Sequence, residues 1–498
     1  MISTGISKIV KTVLVLLIIP VSVLIGQDTQ VDKWSLEECI EYALDNNLSV
    51  KQTEFTVSDN EVQLTQSKGG MYPTANMGGG YTNLWGRSID PTTNRFTNQR
   101  IQSLGLQLSA NYTLYGGSQN RNMVKQNRLN LASANYDLEK AKNDIMLNTT
   151  LEFLTVVLNN ELLENAQLQL EITKAQLETT SKQVEFGALP LSSELDLIAQ
   201  VESNEVQVIN AENNLRIAYL RLKQLLLLPA DTPFEIEIPD VDRINIDQEP
   251  VTANSVYQEA QKIMPEIKSV DTQVESAEVG VKIARGSMDP RLSLAGNMYS
   301  NYSSAADRER FLIDPDGGST MVPTQIGYVI NPIDPGGPTI PVYNNIDFPD
   351  GEFVDSYPIG QQLQDNWSYS MSLNLYIPIF NGLQSKSQHQ RAKIYSEQTR
   401  ILAQQTRQNL RQTIELAYTD AQAAAKTYNA SIRQVESLTE SFRAAEKSYN
   451  LGAMNIYDYQ VSSNNLFMAR SDLLRAKYNY IFTTKVLDFY LGKPLSLN

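Results

Sequence analysis

The 498-residue chain sets 41 Lys and Arg against 56 Asp and Glu, a formal charge of −15, and holds one His (His389) and one Cys (Cys39). An acidic balance argues against a nucleic-acid partner, because phosphate binding needs a basic face. One His and one Cys leave little material for zinc sites, disulfides or histidine acid–base chemistry. The composition therefore points to a non-enzyme with no cofactor or metal, and a mean hydropathy of −0.30 is wrong for a bundle of membrane helices.

At the start of the chain, Lys8 and Lys11 precede an apolar run over 12–25, and a polar stretch follows Gly26 and Gln27. That order predicts a cleaved signal peptide over 1–26 and hence export. A retained signal anchor is the alternative, although the run falls short of the roughly 20 residues of a spanning helix. Cys39 lies too far downstream to carry a lipid, so an unlipidated mature chain is expected.

Laid on itself, the sequence repeats. An offset of 265 residues pairs Tyr115-Gly116-Gly117 with Phe380-Asn381-Gly382, Phe186-Gly187-Ala188 with Leu451-Gly452-Ala453, and Pro229 with Pro494. Upstream, an offset of 217 pairs Val50 with Ile267 and Pro73 with Pro290, so about 48 residues are inserted in the second copy between Pro290 and Phe380. Copies of over 200 residues are duplicated domains, not solenoid repeats.

Each copy reads as helix, strand, strand, very long helix, turn, helix. In the first, 27–229, helices are expected over 37–70, 118–186 and 191–228, with strands over about 74–86 and 103–115. In the second, 254–494, helices are expected over 254–288, 383–451 and 456–490, with strands over about 291–303 and 367–380. The segment 230–253 links the copies, with Phe234-Glu235-Ile236-Glu237-Ile238 as a short strand. The long helical segments contain no Pro and carry Gly only at their starts, Gly117 and Gly382. At 1.5 Å per residue, 70 helical residues reach roughly 105 Å. Ala134, Leu138, Ala141 and Ile145 step by four, three and four, the narrow apolar seam of coiled-coil packing. A long soluble rod fits that seam equally well.

The strands break the tie. Leu104, Leu106, Leu108, Ala110, Tyr112 and Leu114 alternate with small or polar residues, as do Tyr369, Met371, Leu373, Leu375, Ile377 and Ile379. Strands apolar on one face and small-polar on the other suit a membrane barrel with a wet lumen. Tyr72, Trp85, Tyr115, Trp367, Tyr376 and Phe380 sit near strand ends, where an aromatic girdle meets the lipid headgroups. An ordinary half-buried hairpin is the alternative. Four strands cannot close a barrel, which takes at least about eight, so the membrane reading requires an oligomer.

Taken in order, these features resemble the TolC-type outer-membrane efflux channels from about Trp34 to Pro494. They include the opening Leu36-Glu37-Glu38-Cys39-Ile40-Glu41-Tyr42-Ala43-Leu44, the Tyr72-Pro73 and Asp289-Pro290 lead-ins to the first strands, and the two Gly turns. The resemblance implies a fold that is mainly α with a membrane β-barrel part. In that fold a homotrimer closes a 12-stranded barrel among outer-membrane lipids of a Gram-negative bacterium, continued by an α-helical barrel across the periplasm. It also implies a function: the passive exit duct of a tripartite efflux or type I secretion system. Such a duct opens when a periplasmic membrane-fusion adaptor and an inner-membrane pump of RND, ABC or MFS type dock on its tip. The segment 230–253 would then lie in an equatorial collar.

In the resembled family the helical turns form that tip, which closes the resting tunnel and receives the adaptor. Here the turns are Gly187, Ala188 and Leu189 in the first copy and Gly452, Ala453, Met454 and Asn455 in the second. The glycines suit a left-handed helix stop, and Ser192 or Asn455 could cap the helix that follows. Family channels narrow the tip with acidic rings after the second turn. Asp458 falls at the first such position and Val461 at the second, with Glu194 and Asp196 available from the first copy. Three Asp458 carboxylates about a threefold axis would repel one another and favour cations; a solvated carboxylate helped by the helix dipole is the plainer reading.

The insertion is rich in Pro, Gly and Asp, as in Asp314-Pro315-Asp316-Gly317-Gly318. It is expected to be a long, irregular extracellular loop over about 304–366, and its Asp-x-Asp-Gly run fits a turn better than a calcium loop. The rival function is a periplasmic coiled-coil adaptor or scaffold without a barrel. A secreted carboxylate-pair glycosidase is a distant third, because no such pair is apparent.

Overall fold

The computed structural model describes residues 33–89, 94–98, 100–239, 252–306, 309–330, 333 and 336–495. The expected signal peptide and residues 240–251 of the linking segment lie outside the described residues. The first copy contains β1 (Lys33–Trp34), α1 (Leu36–Asn46), α2 (Leu48–Gly69), β2 (Thr74–Leu84), β3 (Ser88–Ile89), β4 (Phe96–Thr97), β5 (Ile101–Gly116), α3 (Gln119–Glu185) and α4 (Leu191–Leu225). After β6 (Glu235–Ile236), the second copy contains α5 (Ala253–Ile263), α6 (Pro265–Gly286) and β7 (Arg291–Ser303). Then come β8 (Glu309–Ile313), β9 (Ser319–Val329), β10 (Ile340–Pro349), β11 (Gly351–Asp355), α7 (Ile359–Asp365), β12 (Ser368–Tyr376), α8 (Gln384–Asn450) and α9 (Ile456–Tyr490).

The duplication holds at both ends of every paired helix. An offset of 217 carries α1 onto α5 and α2 onto α6, and 265 carries α3 onto α8 and α4 onto α9, without a residue's slip. Two features depart from expectation. The helices expected over 37–70 and 254–288 are each broken in two. Asn47 is extended (ψ 128°) and its Oδ1 accepts from Ser49 N at 2.8 Å, ending α1 and capping α2. In the second copy Pro265 has no N–H to donate and holds Met264 extended (ψ 129°), so α5 stops and α6 restarts. The insertion is also less irregular than expected: β8 pairs with β11 and β9 with β10, both antiparallel.

The chain divides into two compact units. Of the described residues, one comprises 33–54 together with those of 138–264 and 408–495. Its core joins Leu36, Cys39, Ile40 and Ala43 of α1 to Phe153, Val156 and Val157 of α3, Leu222 of α4 and Ile481 of α9. A parallel pair, Lys33 with Glu235 and Trp34 with Ile236, ties β1 to β6, and Trp34 sets its ring edge-on to Phe234 at 5.3 Å. Burial holds the Cys39 thiol proton well above its usual range, to about 12, with Glu38 adding to the effect.

The other unit, 55–137 with 265–407, contains an antiparallel sheet in the order β12-β7-β5-β2. Its register aligns like with like: Met77 faces Leu108, Leu108 faces Met298, and Met298 faces Tyr369. On the other face Asn76, Ser109, Asn297 and Ser370 form the matching polar row. The hairpin register itself is duplicated, since Ala75–Ala110 and Met77–Leu108 in the first copy become Leu292–Leu375 and Leu294–Leu373 in the second. Where the sheet meets the helices, Gly117 (φ +61°) lies against Gly286. A Cβ on Gly117 would fall 2.2 Å from the Gly286 carbonyl oxygen. Gly117→Ala therefore combines a left-handed penalty with a backbone clash and is expected to cost at least about 3 kcal/mol, read as a lower urea midpoint of the purified protein.

Candidate functional site

The helical turns are two copies of one stop signal with different starts. Gly187 (φ +72°) and Gly452 (φ +70°) are both left-handed. Ala188 N donates to Gln183 O and Gly187 N to Val184 O; Ala453 N donates to Ser448 O and Gly452 N to Tyr449 O, all at 2.8–2.9 Å. Each is a complete Schellman closure of the long helix. The next helices begin differently. Asn455 caps α9, its Oδ1 accepting from Asp458 N at 2.8 Å, while its Nδ2 donates to Asp458 Oδ2 at 2.7 Å. Ser192 does not cap α4: the N-cap is Pro190, with no side-chain bond to the helix. A Pro already at that position places Ser192 inside the first turn.

The acidic candidates do not form one cluster within a chain. Asp458 is exposed and held by its own cap, Asp196 is exposed, and Glu194 is half-buried with Oε1 accepting from Ser181 Oγ at 2.7 Å. Among the described residues no hydrogen bond or ion pair links the three. Leu189 and Met454 border the turns, and Ala188 and Ala453 are exposed.

What fastens the two turns is a set of residues that the sequence reading missed. Tyr459 of α9 stacks on Tyr449 of α8 at 4.9 Å and meets Phe442 at 5.6 Å. The Tyr449 hydroxyl lies 3.1 Å from Thr180 Oγ1 of α3. Farther along the same helices, Gln169 Nε2 donates to Ser463 Oγ and Asn204 Nδ2 to Thr173 Oγ1, all four residues being buried. The only advance signal was a tyrosine three residues before Gly452 and another seven after it. Burial pushes the Tyr459 phenol up to about 12, with the nearby Glu446 carboxylate and Tyr449 adding to the effect.

In the sheet unit, the aromatic candidates occupy the two ends of the strands. Tyr72, Tyr115, Tyr376 and Phe380 lie at the end nearer the long helices, and Trp85 and Trp367 at the other. All six are exposed, from 48% for Tyr115 to 79% for Phe380. Among the described residues, both outer strands leave one edge unpaired. No described helix is long and apolar enough to cross a membrane.

The sequence pattern of the "Outer membrane efflux protein" family matches residues 39–226 and 256–493, one match per copy. The chain belongs to that family. The outer membrane protein TolC of Escherichia coli K12 is 21% identical over 412 residues, covering 78% of this chain and 74% of TolC. Among solved structures, the outer membrane protein VceC of Vibrio cholerae superposes with a TM-score of 0.69 at 15% identity, covering 93% of this chain and 97% of VceC. The open-state MtrE outer membrane channel of Neisseria gonorrhoeae gives 0.68 at 15% identity, covering 93% and 90%. The chain is thus the outer-membrane channel component of an efflux system, in a family of channels and not of enzymes.

The aromatic lock generates a prediction. Tyr459→Ala removes a buried ring and is expected to cost about 3 kcal/mol, speeding amide exchange over 442–463 by on the order of 100-fold, whereas Tyr459→Phe keeps the stack. An unfolded tyrosine ionises near 10, and the folded Tyr459 keeps its proton to about 12. Its contribution is therefore complete below about pH 10 and lost as pH rises through the folded value. Alkaline loosening of this segment should appear in the wild type and be weaker in Tyr459→Phe.

Proposed function

We propose that three copies of the chain close a 12-stranded barrel in the outer membrane and together form a passive exit duct. The observation that carries this reading is a seam used once inside the chain and left open once. Within the chain, β5 of the first copy pairs with β7 of the second, and Gly117 packs on Gly286. The repeat offsets turn this seam into β12 against β2 of a neighbouring copy, with Gly382 against Gly69. Both glycines have open space at their Cβ positions in the single chain. Val279 is 3% exposed in the internal seam, and its counterpart Val62 is 65% exposed.

An unpaired strand edge in hydrocarbon costs several kcal/mol per backbone group, so the edge must find a partner. Two copies would make eight strands, whose interior side chains fill, while three make twelve and leave a water-filled passage. The apolar row of Met77, Leu108, Met298 and Tyr369 then faces lipid, and the Asn76, Ser109, Asn297 and Ser370 row lines the lumen. The six aromatic residues form girdles at the two membrane surfaces.

On this reading the tip turns close the resting duct and receive the periplasmic adaptor, which draws on an inner-membrane pump of RND, ABC or MFS type for energy. Opening is a shift between two packings of the turns, biased by the adaptor. The aromatic lock of Tyr449 and Tyr459 belongs to the closed packing. Asp458 carboxylates from three copies ring the constriction, with Asp196 beside them, and Glu194 braces its own turn. Export by a cleaved signal peptide and an unlipidated mature chain complete the reading.

Three outcomes test it. The internal register, transferred by the offsets, sets Asn374 opposite Gly80 of the neighbour. Asn374→Cys with Gly80→Cys should give disulfide-linked trimers, and Asn374→Cys with Asn76→Cys should not. A Cβ on Gly69 meets nothing within 4 Å in its own chain, so Gly69→Leu should fold yet lose trimer at least about tenfold, since overpacking a seam costs about 1–3 kcal/mol per copy. Asp458→Asn should weaken cation preference in single-channel recordings; an unmoved reversal potential would remove Asp458 from the constriction.

A further inference from the structure

Where the sheet meets the helices, the sign of the charge reverses. Each of the four strands is joined here to a helix. The links, taken with the ten helical residues beside each, span 60–73, 117–128, 277–290 and 377–393. They hold nine Lys and Arg against Glu61, Glu278 and Asp289, in a chain of net charge −15. All nine cations are exposed, and among the described residues none makes an ion pair or a side-chain hydrogen bond. Farther along the rods the cations have partners: Lys140 holds Asp144, Arg400 holds Glu278 and Glu397, and Arg411 holds Glu415. Beyond the opposite end of the sheet, the inserted arm over 304–366 holds ten carboxylates against two guanidiniums.

The duplication repeats these cations. The offsets carry Lys68 onto Arg285, Arg121 onto Lys386 and Arg128 onto Lys393. Lys68 and Arg285 end α2 and α6, where the helix dipole favours a cation. Arg121 and Lys386 stand in the first turns of α3 and α8, where the dipole opposes one, so their own helices do not account for them. Packing sets their direction. Gln119 and Gln126 of α3 donate to the Ile283 and Ser276 carbonyls of α6, while Asn120 and Asn127 donate to those of Gly70 and Gln63 on the α2 side. At 3.6 residues per turn these contact faces lie roughly a right angle apart, and Arg121, Lys125 and Arg128 centre on the far side. Helices closing a ring meet their two neighbours at less than a straight angle on the lumen side, so this stripe faces outward. Side chains lean toward the helix N-terminus, which for α3 and α8 is the sheet end. The stripe therefore reaches toward the exposed Tyr72, Tyr115, Tyr376 and Phe380.

We propose that this stripe, with Lys386 and Lys393 as its counterpart on α8, binds the phosphates of anionic phospholipids in the leaflet facing the periplasm. The partner is a two-chain lipid with a net negative headgroup, and the inference rests on the barrel reading. Cations beside a membrane surface attract such lipids. Their alkyl stems lie along apolar surface while the charged ends meet the headgroups, and the aromatic residues above them fix the depth.

The test titrates the purified protein with dioleoyl phosphatidylglycerol or with dioleoyl phosphatidylcholine, which has the same chains and no net headgroup charge. Retained lipids are counted by native mass spectrometry. Phosphatidylglycerol should be held at least about tenfold more tightly. Arg121→Gln, Arg128→Gln, Lys386→Gln and Lys393→Gln together should abolish the preference, and exchanging Arg with Lys at the same four positions should keep it. Lys140→Gln with Arg411→Gln should leave it unchanged. Equal retention of the two lipids, or a preference that survives the fourfold variant, would overturn the proposal. So would displacement of phosphatidylglycerol by inorganic phosphate at equal concentration, which would make the stripe a site for soluble anions. The Asn374–Gly80 disulfide separates two failures. Linked trimers without a lipid preference sink the lipid site alone; without linked trimers the barrel reading fails, and the site with it.

Discussion

Backbone hydrogen bonding in the absence of water is the constraint from which the rest of this fold follows. A four-stranded sheet with an apolar row on one face can lie in lipid only when its two outer strands, β2 and β12, find partners. Duplication meets that need economically. A surface that joins the first copy to the second inside the chain also exists, displaced by the same offsets, at the chain's two open edges. The close Gly117–Gly286 approach shows how tight the internal seam is, because neither position tolerates even a methyl group. Gly69 keeps the same small residue where the single chain places no demand on it, whereas Gly382 is also held to glycine by its left-handed backbone (φ +63°).

The helical parts obey different physics. Helices of 67 residues cannot bury a wide apolar face without becoming a solid bundle. Their seams instead mix small apolar residues with hydrogen-bonded polar ones such as Gln169 to Ser463 and Asn204 to Thr173. A polar pair is satisfied in only one register, so it fixes alignment where an apolar seam would permit sliding. The turns differ: the cap on α9 engages Asp458, whereas α4 starts at Pro190 with no side-chain cap. The second turn is the more firmly built one, and it is also the one fastened by the Tyr449–Tyr459 stack.

The sequence made the duplication legible to the residue, because Gly, Pro and aromatic punctuation marks element ends and survives divergence of the surfaces between them. Gly187 and Gly452 were readable as left-handed stops for the same reason. The break at Asn47 was not, since an Asn in a helical run is ordinary until its backbone turns extended and its side chain caps the next helix. Pro265 carries the signal for the equivalent break, although the helical pattern continues on both sides of it. The strands of the insertion were hidden by their prolines. Pro323, Pro341 and Pro349 sit in two-stranded ribbons, where a missing donor can face solvent. The tyrosine lock was hidden because a seam aromatic looks the same whether it fills space or fastens two helices.

The acidic balance that first excluded nucleic acid has a location. The arm's ten carboxylates and two guanidiniums account for more than half of the chain's net charge of −15. They sit on a segment that neither the barrel nor the rods require. An isolated ribbon of like charge repels itself and gains nothing from water beyond solubility. The asymmetry between the copies is therefore one of charge as well as length: the second copy's inter-strand segment carries ten carboxylates, while the first copy's 85–100 holds three arginines against one aspartate.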